Sequence, residues 1–334
     1  MRQVRNPPNP YEAYSAEFVG EPPAAKLEVF EETTTSSMIT KSYAKNEVGY
    51  RLIVNCYRGC IHGCTYCFAR QYHEYIGYGA GTDFETKIVA KINAPDVLRR
   101  DLKKIRLKIP YLEFSFTTDP YLPLEANYLL TQKCLKVCAE FGVRAGVITK
   151  SPLVTRDSDI LKDLDSTVLF SIPFLTKESS NPFEPYTPVP DARFRAMKRL
   201  ADQGITVGIG IAPVILGYND SEIPLLLEKA KDNGATKAFM SFVHFDTDSI
   251  EQYFTQRLIE TIPTKAAKIL NHVKRERNGN LRHRNYAERN SGKTERWDIA
   301  KNMFDLHFRR LGYVKYEPFD EPERGELPVQ QKLF

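Results

Sequence analysis

Apolar residues follow two different periods along the chain between about residue 50 and residue 243. Short runs rich in β-branched and aromatic residues predict strands, and longer stretches with apolar residues three or four positions apart predict amphipathic helices. The predicted strands are Tyr50–Val54, Leu112–Thr117, Arg144–Thr149, Val168–Ile172, Thr206–Ile211 and Lys237–Val243. The predicted helices between them are Asp96–Ile105, Ala126–Phe141, Ser158–Leu164, Asp191–Gln203 and Glu222–Asn233.

Alternating strands and helices predict parallel strands, because each helix returns the chain to the same edge of the sheet. Six such units predict an α/β fold, a partial (β/α)6 TIM-like barrel over residues 46–249. Residues 1–45, with Pro-rich and Thr/Ser-rich stretches, are interpreted as an N-terminal extension. Residues 250–334 are expected to close the open side of the barrel with one helix from about Ile250 and another from about Trp297 to Leu311.

The ends of these strands carry polar residues, and ligands of parallel sheets bind at the carboxyl ends of the strands. The loop after the first predicted strand begins at the same edge. The candidates at the ends of the later strands are Thr118, Asp119, Thr149, Lys150, Ser151, Ser171, Ala212, Pro213, Ser241 and His244. We therefore expect a functional site where this loop and these residues meet.

The loop after the first predicted strand holds four of the six cysteines. Cys60, Cys64 and Cys67 follow the spacing C-x3-C-x2-C, and three thiolates on one tight loop suit a [4Fe-4S] cluster with one iron free of protein ligands. Zinc is the alternative, because Cys64 and Cys67 resemble half of a structural zinc site, although the sequence offers no distant second pair. The spacing favours the cluster.

The remaining cysteines and the histidines of this region receive structural interpretations. Cys56, Cys134 and Cys138 are expected to be small buried residues and not ligands. His62 and His73 lie close to the motif, but the cysteine set is complete, so we interpret them as support for the loop or as groups that tune the metal.

Composition is that of an ordinary folded protein, with 334 residues, 42% of them hydrophobic and 27% charged. An apolar run near the roughly 18 residues of a membrane span is missing, and Met1–Pro23 lacks the apolar core of a signal peptide. Bunched cysteines do not resemble a secreted disulfide framework. We therefore expect a cytoplasmic protein without membrane partners.

Positive charge is concentrated in residues 274–296, where eight Lys/Arg stand against three Glu within a formal net charge of +5 for the whole chain. Residues able to stack on bases or to hydrogen-bond with them, such as His283 and Tyr286, are interleaved with these cations. A nucleic-acid contact is one interpretation of this basic stretch. A solvated cationic loop without a partner is the other.

Several further segments of the sequence are typical of one protein family. They are Tyr57–Arg70, His73–Tyr75, Asp83–Ile88, Thr118–Tyr121, Ile148–Ser151, Glu184–Pro185 with Arg193, Gly204–Ile205, Ala212–Ile215 and Asn219–Asp220. Together with the six-unit pattern they resemble the spore photoproduct lyase-like branch of the radical S-adenosylmethionine (SAM) superfamily. The resemblance extends over about residues 38–312.

The resemblance implies an enzyme with a [4Fe-4S] cluster and SAM as cofactors, and an electron donor such as flavodoxin or ferredoxin. Reductive cleavage of SAM would give a 5′-deoxyadenosyl radical that abstracts hydrogen from a substrate. By motif match, Cys60, Cys64 and Cys67 would ligate the cluster, and Tyr66 would pack beside the adenine. Thr118, Asp119, Lys150, Ser171 and Ala212 would lie around SAM, with Lys150 suited to its carboxylate.

Two residues depart from the lyase pattern. Phe116 stands where spore photoproduct lyases carry a hydrogen-donating cysteine, so ordinary thymine-dimer lyase activity is not expected. Cys56 stands where relatives usually have proline. Glu184 and Arg193 are interpreted either as a buried ion pair at the site or as an ordinary salt bridge at a helix start.

The substrate is not fixed by these residues, and three functions remain open. A radical enzyme acting on nucleic acid is favoured by the lyase-like resemblance together with the basic stretch. A radical enzyme acting on a protein or a small metabolite is the second. A non-catalytic iron–sulfur or zinc protein is the third.

Overall fold

A computed structural model describes residues 3–13, 21–43, 50–104, 111–282 and 288–316. Its strands are β1 Glu28–Glu32, β2 Ile39–Tyr43, β3 Tyr50–Val54, β4 Tyr57–Arg58, β5 Lys87–Lys91, β6 Tyr111–Phe114, β7 Arg144–Thr149, β8 Thr167–Ser171, β9 Thr206–Val214, β10 Lys237–Phe242 and β11 Val314–Lys315. Its α-helices are α1 Gln71–Glu74, α2 Thr82–Thr86, α3 Ala94–Lys104, α4 Glu125–Tyr128, α5 Leu130–Glu140, α6 Ser158–Asp163, α7 Lys177–Ser180, α8 Pro190–Asp202, α9 Ile223–Asp232, α10 Asp248–Thr261, α11 Pro263–Glu276 and α12 Glu295–Arg310.

Within these ranges, eight strands form one sheet in the order β11-β10-β9-β8-β7-β6-β3-β2. The strands from β3 to β11 pair in parallel, and β2 pairs antiparallel to β3. Because the strands from β6 to β10 follow one another both in sequence and in the sheet, the sheet winds in one direction, as in part of a TIM barrel. The described sheet ends at β2 and β11 and is not closed, so the predicted partial (β/α)6 barrel is confirmed.

Most predicted elements differ from the structure by a few residues at their ends, and two of them also meet an unexpected backbone conformation. β6 ends at Phe114 and not at Thr117, and Phe116 takes a φ of +110°, which lies outside the range of an extended strand. The single helix predicted over residues 126–141 is divided into α4 and α5 by Leu129, which is left-handed with a φ of +56°. Neither backbone conformation belongs to a residue type that favours positive φ, so the local sequence pattern did not indicate them.

Apolar side chains between the sheet and its helices form the core. All five residues of β8 are buried. α8 begins with Pro190 at its first turn and buries Phe194, Met197 and Leu200 three residues apart. Burial of each side chain of this size contributes about 1.5–3 kcal/mol, so this stripe fixes α8 against the sheet.

A second, three-stranded sheet in the described ranges holds the start of the cysteine loop. β5 pairs in parallel with β1 and antiparallel with β4, the strand that directly precedes the loop. Residues 3–13 lie beside it: the amide of Thr82 donates to the Arg5 carbonyl at 2.9 Å, and the Arg5 amide donates to Thr82 Oγ1 at 2.8 Å. Part of the N-terminal extension therefore packs against α2, close to the loop.

The residues after β10 cover one side of the sheet. α12 buries Trp297, Ala300 and Phe304, and the ring of Trp297 lies 5.3 Å from that of Phe242 in β10. β11 then adds to the free edge of β10. No helix in the described parts of the chain is long and apolar enough to cross a membrane.

Candidate functional site at the carboxyl ends of the strands

The cysteine loop between β4 and α1 is held tightly by backbone hydrogen bonds. The Cys60 amide donates to the Phe84 carbonyl at 2.8 Å, and the Cys67 amide donates to the Cys64 carbonyl at 3.3 Å. Gly59 has a φ of +76°, and a Cβ at this position would lie 3.0 Å from the carbonyl oxygens of Phe84 and Lys87. Glycine is therefore required where the chain enters the loop.

The three thiols of the loop lie close enough to act on one another electrostatically. Burial raises the pKa of Cys60 well above its usual value, and Asp119 and the other two thiols raise it further. Burial also raises the pKa of Cys64 to about 12 and raises that of Cys67, although Arg70 opposes the second shift. Buried thiols of this kind ionise only in the presence of strong positive charge, which the irons of a cluster supply.

Three soft donors on one loop fit a [4Fe-4S] cluster. In the described part of the chain, no three His, Cys, Asp or Glu side chains, those of the cysteine loop included, are already drawn together around one point. All six cysteines lie within the described ranges and are free of disulfide bonds. The donor set therefore fits the cluster predicted from the spacing.

Arg70, three residues after the last cysteine of the loop, is fully buried and ties the loop to α2. Its guanidinium donates to the carbonyls of Cys64, Ala80 and Gly81 at 2.8–3.0 Å and to Glu85 Oε1 at 2.6 Å. The centroid of the Tyr253 ring lies 4.1 Å from Cζ of the guanidinium, and the Tyr253 hydroxyl donates to the same Glu85 oxygen. This network fixes the loop and places a positive group near Cys67.

Thr118 and Asp119 follow β6 and lie beside the loop, as predicted. Thr118 Oγ1 donates to the Gly59 carbonyl at 2.6 Å. Asp119 accepts from Thr149 Oγ1 at 2.6 Å and from the Lys150 amide at 2.8 Å, and it lies 3.5 Å from His62 Nδ1. The two residues therefore join the loop to the ends of β6 and β7.

Lys150 and Glu184 form the centre of a charged network at the ends of β7 and β8. Lys150 Nζ donates to Ser171 Oγ at 2.7 Å and lies 3.6 Å from Glu184 Oε1, the oxygen to which the Tyr66 hydroxyl donates. Arg193 Nη2 donates to Glu184 Oε2 at 2.6 Å. Burial opposes the charge of Glu184, but Arg193 and Lys150 outweigh it and hold the Glu184 pKa below its usual value.

The structure thus brings most of the predicted site residues together. Tyr66, Lys150 and Ser171 share the network around Glu184, and Ser171 Oγ lies 3.5 Å from the Ala212 carbonyl at the end of β9. Of the two interpretations of Glu184 and Arg193, the buried ion pair at the site is correct, because both side chains are fully buried. The role of Glu184 as a shared partner of Tyr66 and Lys150 was not predicted.

Three other residues near the motif take structural positions. His62 is buried beside Asp119, and burial lowers its pKa. His73 packs against the rings of Tyr78 and Phe84, at centroid distances of 5.2 and 5.6 Å. Cys56 lies in the core with its sulfur 3.6 Å from that of Cys134, as expected for a small buried residue.

The basic stretch at residues 274–296 is only partly described, because residues 283–287 fall outside the described ranges. Arg277 is buried and donates to the carbonyls of Glu288, Arg289 and Ser291. Three further cations lie within 3.0 Å of carboxylates: Arg282 with Asp248, Lys293 with Glu288, and Arg296 with Asp220. The stretch also contacts the carboxyl end of β10, at the edge of the candidate site, where the Phe242 amide donates to the Asn290 carbonyl at 2.9 Å.

Comparison with known proteins places the chain in a family. The Radical SAM superfamily profile matches residues 54–230, more than half of the chain. An uncharacterised protein of Mycobacterium tuberculosis is 31% identical over 221 residues, 64% of this chain and 65% of that protein. One of Methanocaldococcus jannaschii is 32% identical over 199 residues, 59% of this chain and 70% of that protein. The chain therefore spans slightly under two thirds of the mycobacterial relative.

Solved structures of spore photoproduct lyase share the fold. One mutant form has a TM-score of 0.60 at 17% identity, covering 86% of this chain and 81% of the lyase chain. Another, with bound AdoMet and dinucleoside spore photoproduct, has a TM-score of 0.59 at 16% identity over the same shares. The chain therefore belongs to the radical SAM superfamily, whose fold implies a [4Fe-4S] cluster and SAM as cofactors.

Proposed function

We propose that this enzyme acts on nucleic acid, with Cys60, Cys64 and Cys67 as the cluster ligands and the strand-end residues as contacts of SAM. Bound together, the two cofactors supply a one-electron cleavage that leads to removal of a hydrogen atom from the substrate. The observation that carries the cofactor assignment is the position of the three-thiol loop beside the network of Lys150 and Glu184, whose charges both act on the Cys64 thiol.

Each strand-end residue has a role that suits its chemistry. Lys150 presents an ammonium group to the methionine carboxylate of SAM, and the pKa of Lys150 is raised because Glu184 and Cys64 outweigh the effect of burial. Tyr66 is fixed by its hydrogen bond to Glu184 and offers its ring to the adenine. The Ser171 hydroxyl and the Ala212 carbonyl would hold ribose hydroxyls of SAM, and the Asp119 carboxylate would hold its amino group.

Nucleic acid is the substrate class that the site edge supports best. Arg289 and Asn290 of the basic stretch lie where β10 ends, and Arg289 Nη1 is 4.0 Å from Asp246 in the loop after that strand. Exposed Lys274 and Arg275 on α11 add positive charge for phosphates. One of the spore photoproduct lyase structures with this fold holds a dinucleoside, which is consistent with the proposal. A protein or small-metabolite substrate is the alternative.

The proposed chemistry is tested by the products of SAM. Anaerobically reconstituted protein, incubated with SAM and a chemical reductant, is expected to release 5′-deoxyadenosine and methionine in equal amounts. Single-stranded DNA or RNA should accelerate this release, and the acceleration should fall steeply as salt is raised, because phosphate contacts are screened. Absence of 5′-deoxyadenosine would contradict the radical mechanism, and indifference to both nucleic acids would contradict the substrate.

Lys150→Met is expected to weaken SAM binding by about tenfold or more, because a hydrogen bond between charged groups contributes about 1.5–3 kcal/mol. Equilibrium dialysis of labelled SAM against reconstituted protein measures the effect, and iron content should not change. The matched control is Lys198→Met on α8, whose lysine pairs with Asp202 at the surface. Equal affinities of the two variants for SAM would show that Lys150 does not contact SAM.

A further inference from the structure

Three aromatic rings stand together at the edge of the candidate site. Phe68 directly follows the last cysteine of the loop, Phe116 follows β6, and His244 follows β10. The centroid of the Phe68 ring lies 5.5 Å from that of Phe116, edge to face. It lies 6.0 Å from that of His244, and the planes of Phe68 and His244 are 25° apart. All three are half-buried, whereas core rings such as Phe114 and Phe170 are fully buried. We call these three residues the aromatic shelf.

The backbone at Phe116 supports a role for the shelf beyond packing. Its φ of +110° is uncommon for any residue with a side chain and is a true outlier for a bulky one. Glycine would adopt this conformation without strain. Strain of this kind is concentrated at functional sites, because the surrounding structure must hold it in place. The strained backbone presents a large ring at the edge of the site, beside Phe68.

His244 adds an unsatisfied polar atom to the shelf. Its Nε2 is buried and has no hydrogen-bond partner among the described residues, and the nearest carboxylate oxygen, Oδ2 of Asp246, is 3.9 Å away. Burial lowers the pKa of His244 to about 4, so the ring is neutral at physiological pH. Buried polar atoms in proteins are nearly always hydrogen-bonded. A hydrogen-bonding group of a ligand would satisfy this atom.

The surroundings of the shelf are polar and partly cationic. Gln71 Nε2 donates to Asp246 Oδ2 at 3.4 Å, and the Arg289 guanidinium lies 4.0 Å from the same oxygen. Aromatic faces beside an Arg and hydrogen-bonding groups are the combination that binds unpaired nucleobases and their phosphates. Proteins use stacking on such rings for bases that are single-stranded or turned out of a duplex.

We propose that Phe68, Phe116 and His244 bind a nucleobase of the substrate, by stacking on the phenyl rings and by a hydrogen bond to His244. This inference rests on the proposed function and specifies which part of the nucleic acid enters the site. A base held here lies beside the residue that follows Cys67, next to the cluster loop. The shelf therefore positions the nucleotide on which the enzyme acts.

Two matched strands test the shelf. One is a short fluorescein-labelled single-stranded DNA, with an RNA version as a second arm, and the other is a tetrahydrofuran–phosphate strand of equal length that keeps the phosphates and lacks the bases. Fluorescence anisotropy with the reconstituted enzyme should show the base-containing strand binding about tenfold more tightly, the scale of stacking on one aromatic residue. A free nucleoside, added as competitor, should reduce this difference.

Phe116→Gly is the decisive variant, because it removes the ring at a backbone conformation that glycine adopts freely. We expect it to bind both strands with the weaker affinity and to melt no lower than Phe116→Ala, which keeps the strain. His244→Gln should lose part of the preference for bases. The control is Phe141→Ala, which removes a partly exposed ring at the end of α5 and should keep the full preference.

Equal binding of the two strands by the unmodified enzyme would overturn the shelf, and so would a full preference in Phe116→Gly. Release of 5′-deoxyadenosine is measured separately, so the two failures are distinguishable. If the enzyme cleaves SAM but binds both strands equally, the proposed role of the shelf is wrong and the radical chemistry stands. If the protein does not cleave SAM, the proposed function itself is wrong.

Discussion

Cys64→Ala is expected to abolish both the cluster and the cleavage of SAM. Cys64 is buried at the centre of the three-thiol loop, and its thiol lies within the electrostatic influence of Cys67 and Lys150. Loss of one thiolate leaves two donors, too few to hold a cluster with one open iron. Iron and sulfide per chain after anaerobic reconstitution should fall close to zero, and 5′-deoxyadenosine should fall to the level of a reaction without enzyme.

Cys56→Ala is the matched control for this prediction. Cys56 is also buried and lies four residues before the loop motif, but its sulfur contacts Cys134 in the core. We expect this variant to keep a full complement of iron and sulfide, with a modest loss of stability from the small cavity. Retained SAM cleavage in Cys64→Ala, or loss of the cluster in Cys56→Ala alone, would refute the ligand assignment.

Arg70→Met is expected to lower the free energy of unfolding by about 3–5 kcal/mol, because it leaves the Glu85 carboxylate buried without its guanidinium partner. It also removes the donors to the carbonyls of Cys64, Ala80 and Gly81, so the loop that holds the thiols should loosen. Thermal unfolding of the unreconstituted protein measures the first effect. Iron retained during gel filtration measures the second.

An exposed Arg–Glu pair provides the comparison for Arg70. Arg99 donates to both oxygens of Glu140 at 2.9 Å, but these side chains are 34% and 48% exposed. Arg99→Met should therefore cost far less stability than Arg70→Met and leave iron binding unchanged. The double variant Arg70→Met/Glu85→Met should be more stable than Arg70→Met alone, since it removes the unpaired charge. If Arg70→Met were no less stable than Arg99→Met, the hydrogen bonds of Arg70 would have no structural importance.

Much of the barrel was predictable from sequence because its strands and helices differ in period. Tyr50–Val54 and Arg144–Thr149 were predicted at their observed bounds, since each is a short β-rich run that leads into a loop. The small sheet was not predicted. β1 is mostly charged, and its parallel pairing with β5 joins residues far apart in sequence, such as Glu28 and Lys87. Local patterns carry no information about such a pairing.

The residues of the candidate site were likewise predictable only in part. Its cysteines share one loop, and Lys150 and Ser171 end strands, so spacing and topology were enough to bring them together. Glu184 lies beyond the end of β8, after α7, and is recognisable as a shared partner only when Tyr66 and Arg193 are placed around it. The contact of Arg70 with Tyr253 depends on the C-terminal helices, whose packing against the loop has no local signal.

Electron paramagnetic resonance of the reduced, reconstituted protein, recorded with and without SAM, tests the central claim most directly. If three thiolates leave one iron open, SAM must bind that iron, and the signal of the reduced [4Fe-4S] cluster should change when SAM is added. Nitrogen-labelled SAM should then show coupling between its amino group and the cluster. An unchanged signal, or protein that contains one zinc ion and no sulfide, would contradict the account.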